Sequence, residues 1–232
     1  MPLFSSQLSL NTQHESSWDT WLDEQNSTTN RAGQSSVQCN YTVSRGGNFK
    51  KRTLLAFDLS DLANRTITTA TLVMKTVSGF GVGSGTVSCS ISLIDTSAGD
   101  PVYDEVTWAN RKSGVAWSQA GGDQAVMSGG PYTIAWPVVS DTTLSSNNLA
   151  DLLQGKVGGM AFLLIKTAES GGTLTKAAIA HDEDDPSSVD DLPTLVVNST
   201  IDHRNVYNKQ EMTKYLNKSV GIKGKASVPS VG

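Results

Sequence analysis

Apolar and polar positions alternate along most of the chain in short stretches separated by turn residues. Residues 36–43 alternate with a period of two, as do residues 86–94, where Val87, Cys89, Ile91 and Leu93 fall on one side. That period marks a strand with one face buried. Residues 18–23, 52–59 (Leu55 and Phe57 sharing a face), 70–77, 132–136, 160–165, 177–181 and 194–197 extend the set. The pattern predicts about nine strands, and their spacing with turns between them points to an all-β antiparallel jelly-roll sandwich. Helical periodicity is confined to two short stretches. One is 148–153, stopped by Gly155; the other is 208–216, where Asn208 and Glu211 resemble a capping box and Met212, Tyr215 and Leu216 share a face. A helix of that length does not hold by itself in water, so its apolar face needs a surface to dock on.

Composition agrees with strands and turns. Only 17% of residues are charged, and 52 of the 232 are Ser or Thr. The longest apolar run, at 160–165, is far short of the roughly 20 residues a membrane helix needs. The start carries no basic residue and no long apolar stretch, so no signal peptide is expected. Residues 1–201 have a net charge of −8 and residues 202–232 a net charge of +4. An acidic body with a basic appendage suggests a tail that lies on another surface. The tail has no Arg cluster and the body would repel phosphate, which argues against nucleic acid. The expected organisation is an N-terminal arm (1–17), a jelly-roll domain (18–200) and a basic C-terminal arm (201–232).

Candidate chemistry is sparse. His14, His181 and His203 stand apart from any nucleophile elbow, and the glycine-rich run at 81–85 reads as a hairpin loop. Asp104 and Glu105 are adjacent, so on a strand they face opposite ways. Catalysis is therefore not expected. The acidic cluster containing Asp182, Asp184 and Asp185 offers hard oxygen ligands suited to Ca²⁺ but lacks EF-hand spacing, and a solvated loop is the favoured reading. No other cofactor is expected. Cys39 and Cys89 lie on strands and read as buried free thiols. Among the aromatic residues, Trp117, Tyr132 and Trp108 are the candidate sugar-stacking platforms, with Trp117 expected to be the most exposed.

Several motifs in order resemble one family. Residues 19–23 (DTWLD) look like its opening strand, and residues 51–60 (KRTLLAFDLS) are similar to its R-x-L-L-x-F-D-L-S signature. Residues 67–72 (ITTATL), 103–110 (YDEVTWAN), 158–162 (GGMAF) and 192–197 (LPTLVV) follow in the family's order. The family is the DNRLRE-type domain, a jelly-roll module similar to certain carbohydrate-binding modules. The resemblance implies a non-catalytic sandwich used for binding or display.

Two functions are compatible with this reading. In the first, the protein is a capsid decoration component of a phage virion, assembled in the host cytoplasm. Its arms clamp copies of itself or the major capsid protein through Met212, Lys214, Tyr215, Leu216, Lys218, Lys223 and Lys225. In the second, it is a carbohydrate-binding module that recognises a polysaccharide, a host glycan among the candidates.

Overall fold

The computed structural model describes residues 4–13, 16–44, 47–76, 86–125, 132–137, 142–169, 175–181 and 191–201. Within them the chain forms β1 (Phe4–Asn11), β2 (Trp18–Asp23), β3 (Ser36–Ser44), β4 (Gly47–Asp58), β5 (Thr66–Lys75) and β6 (Thr86–Leu93). These are followed by β7 (Asn110–Lys112), β8 (Val115–Ala116), β9 (Tyr132–Pro137), β10 (Thr143–Ser145), the one-turn helix α1 (Ala150–Leu153), β11 (Met160–Thr167), β12 (Thr175–His181) and β13 (Thr194–Ile201). Two antiparallel sheets pack as a sandwich. The smaller has the order β1-β13-β5-β10; the larger has the order β12-β3-β4-β11-β6-β9, with β2 also paired to β4. Leu54 faces both Thr20 of β2 and Leu164 of β11, so these two strands flank β4 along its C-terminal half. β7 and β8 form a separate hairpin.

Alternation explains the interior. Leu55 and Phe57 of β4, Val87, Cys89 and Ile91 of β6, Ile134 and Trp136 of β9, and Leu163 and Ile165 of β11 meet Leu72 and Met74 of β5 and Leu195 and Val197 of β13. Burial of this apolar surface is the main force holding the sheets together. α1 closes one edge: Leu149, Leu152 and Leu153 enter the same core, and the Asn148 side chain accepts hydrogen bonds from the backbone N–H of Ala70 and Ala150.

The larger sheet is covered on its other face as well. Residues 95–125 lie across it as a strap. Val106, Trp108 and Trp117 pack there on Leu22, Leu54, Ala56, Phe162 and Leu164. This second core explains why residues 54–57 and 161–165 read as unbroken apolar runs, since both faces of β4 and β11 are out of water.

The sandwich and the short helix agree with the sequence pattern, whereas several boundaries differ. Residues 4–11 were expected in an arm. They form β1, an edge strand of the smaller sheet, paired with β13 from Phe4↔Ile201 to Asn11↔Thr194. Their polar residues are what one exposed sheet face requires, and Leu8 and Leu10 turn to the core. β4 starts at Gly47, ahead of the strand expected at 52–59. The glycine-rich run at 81–85, the tail with its expected helix, and Asp182, Asp184 and Asp185 lie outside the described residues.

Candidate functional site

The three predicted aromatic platforms are buried. Trp117 is 5% exposed; its Nε1–H donates to the Thr107 carbonyl at 2.9 Å, and the Arg111 guanidinium covers its ring at 4.9 Å. Trp108 is equally covered, with the Arg52 guanidinium 4.8 Å from its ring centre. Tyr132 sits in the interior between the sheets. None of the three presents a face to a sugar: Trp108 and Trp117 seal the outer core, and Tyr132 fills the inner one. Of the aromatic residues whose exposure is described, Trp18, Tyr103 and Phe49 are half-buried, and the first two have ring centres 5.7 Å apart.

The strap leaves the outer face of β6, β9 and the end of β11 uncovered. Alternation sends Val87, Cys89 and Ile91 inward, so Ser88 and Ser90 point outward; Thr133 and Lys166 follow the same rule on their strands. Register aligns them: Thr133 of β9, Ser90 of β6 and Lys166 of β11 occupy one row across three strands. Strand spacing sets these side chains about 4.8 Å apart. With Ser88, Thr167, Ala168 and Glu169 they line an open groove of about 410 Å³, within the roughly 300–1,000 Å³ usual for small-ligand sites.

Each lining group has a defined hydrogen-bonding capacity. The Lys166 ammonium donates to the Gln124 side chain at 3.0 Å, and Gln124 in turn donates to the Ser92 hydroxyl at 2.7 Å. The Ser90 hydroxyl donates to the Lys166 carbonyl at 3.3 Å. Glu169 accepts from Arg52 through both carboxylate oxygens, at 2.6 and 2.7 Å. Thr167, in register with Cys89, turns inward and is 3% exposed, so its hydroxyl faces away from the groove. The groove thus combines donor-only Lys166, acceptor-only Glu169 and hydroxyls that do both. A polyol, whose hydroxyl groups also donate and accept, matches such a lining.

The floor is rigid. Cys39 and Cys89 lie buried beneath it, unlinked, with sulfurs 3.9 Å apart. Burial, followed by the neighbouring Cys89 thiol, pushes the Cys39 thiol well above its usual range, so it remains protonated. Beside the groove, the strap is pinned by Arg111 and Asp123, 2.6 Å apart. Arg111 also donates to the carbonyls of Asp95 and Gly99 at 3.0 and 2.6 Å. Burial acts to raise the Asp123 carboxyl. Backbone N–H groups of Ser118 and Gln119, together with Arg111, outweigh it and hold the acid below the usual carboxylate range. Among the described residues no cluster of His, Cys, Asp or Glu is suited to a metal ion, and no helix is long and apolar enough to cross a membrane.

Sequence reasoning passed over Ser88, Ser90, Thr133, Lys166, Thr167 and Glu169. The signal was present: on 86–92 the outward positions are all Thr or Ser, an unusual choice for a solvent-facing strand where charge is common. No curated protein matches the chain. Residues 11–121 match the family model of carbohydrate-binding module family 96, so this segment, which contributes Ser88 and Ser90 to the groove, is similar to carbohydrate-binding modules.

Proposed function

We propose that the protein is a non-catalytic carbohydrate-binding module whose ligand lies in the groove of β6, β9 and β11. Support for the class comes from the similarity of residues 11–121 to carbohydrate-binding module family 96. It favours this reading over capsid decoration, for which no comparison speaks. The location rests on one observation above all: Thr133, Ser90 and Lys166 stand in one outward-facing row across β9, β6 and β11, in a groove lined by hydroxyl groups and one residue of each charge. The mode is hydrogen bonding along a row of small side chains, with no aromatic platform among the residues that line the groove.

Thr133→Val tests this reading because it separates binding from folding. Valine keeps the branched shape suited to a strand and removes an outward-facing hydroxyl of the groove. The expected result is an unchanged or slightly raised melting temperature. Retention on affinity gels of neutral and acidic polysaccharides should fall, as should calorimetric affinity for whichever polymer binds the unmodified chain. Full binding by Thr133→Val and Ser90→Ala would place the ligand elsewhere.

A further inference from the structure

Glu169 forms one wall of the groove, and a single side chain from another strand grips both of its carboxylate oxygens. That side chain, Arg52 of β4, is not among the lining residues. Its Nε meets Oε1 at 2.6 Å and its Nη2 meets Oε2 at 2.7 Å, a two-point fork. The remaining Nη1 donates to the Gly121 carbonyl at 2.7 Å, and the guanidinium rests on the Trp108 ring. Both partners are largely out of solvent, at 11% and 14% side-chain exposure. The arrangement leaves no room to vary: a Cβ at Gly121 would come within 2.8 Å of Arg52 and 2.7 Å of Trp108.

A carboxylate held this way behaves differently from a free one. Each oxygen keeps acceptor capacity beyond its bond to the guanidinium, and the fork fixes the plane in which that capacity points. Two neighbouring ring hydroxyls of a sugar can donate to such a pair without the entropy loss of first ordering the side chain. Arg52 also offsets the negative charge, so a neutral sugar meets no isolated anion. We propose that Arg52 is the positioning residue that sets the groove's specificity for a vicinal diol, acting through Glu169. The proposal rests on reading the groove as a sugar site.

The experiment is a calorimetric titration of the full chain with tetrasaccharides of glucose, mannose, galactose, xylose and glucuronic acid. The strongest binder is then carried through Glu169→Gln, Arg52→Gln, Arg52→Lys and the Arg52→Gln/Glu169→Gln double variant. Either single change to Gln should weaken binding roughly ten- to a hundredfold, the range for one lost charge-assisted hydrogen bond. The double variant should bind no more weakly than either single, because the two residues act in series. Arg52→Lys should restore little, since an ammonium cannot hold two oxygens in one plane. If Arg52→Gln does not fold, Glu169→Asp carries the test: it keeps the charge, withdraws the oxygens, and should lose affinity as Glu169→Gln does. Wild-type affinity in Glu169→Gln, or losses that multiply in the double variant, would leave Arg52 a structural residue and overturn the proposal. If no tetrasaccharide binds the unmodified chain, or if binding survives Thr133→Val with Ser90→Ala, the groove reading itself fails.

Discussion

Asp123 is held by two backbone N–H groups and by a guanidinium that is 99% removed from solvent on its side chain. Asp123→Asn would leave Arg111 buried without its counter-charge, at a cost of about 3 kcal/mol, which thermal unfolding should register as a lowered midpoint. The same pair gives the chain an acid limit. The folded carboxyl titrates below its unfolded value of about 3.9, so its contribution is complete above that pH and is lost as pH falls through the folded pKa. Circular dichroism against pH should show unfolding beginning below about pH 4, and Asp123→Asn should flatten that limb. Gly121→Ala should also destabilise, because φ is +85° and the added methyl meets Trp108 and Arg52. Residues of this kind were not legible in the chain: Arg111 and Asp123 are twelve apart on an irregular strap, and no periodicity marks their meeting.

The strap that those residues anchor decides which aromatic groups are available. Trp108 and Trp117 stand in a polar stretch, which made Trp117 look exposed, yet both are the lid of the outer core. Trp117→Ala is accordingly expected to cost about 3–5 kcal/mol, as large aromatic truncations do. A stability loss measured by denaturant unfolding, with sugar affinity per folded molecule unchanged, is the expected pair of results. A selective loss of affinity at wild-type stability would instead restore Trp117 as a platform. Strands with one buried face, such as β6, were readable from alternation alone. β4 and β11 were readable as strands, but their unbroken apolar runs, which follow from two covered faces, carry no information about what covers the second one. β1 escaped notice for the opposite reason: it is an edge strand with a polar outer face, and among its residues of described burial Leu10 enters the core and Leu8 packs against it.

At the scale of the whole molecule, the family match and the folding unit do not coincide. The match ends at residue 121, whereas β11 pairs with both β4 and β6, and β13 joins β1 to β5. A fragment of residues 1–125 lacks both strands and should be unfolded or aggregated by circular dichroism and size-exclusion chromatography; a cooperative melt of that fragment would contradict the topology. The groove likewise needs both halves, since Ser88 and Ser90 precede the boundary and Thr133, Lys166, Thr167 and Glu169 follow it. Nuclear magnetic resonance of the ¹⁵N-labelled full chain, titrated with the strongest-binding tetrasaccharide, tests the central claim most directly. Shift changes should concentrate on residues 88–90, 133 and 166–169, with smaller changes at Gln124 and Arg52. Changes centred instead on the half-buried Trp18 and Tyr103, with the groove silent, would contradict it.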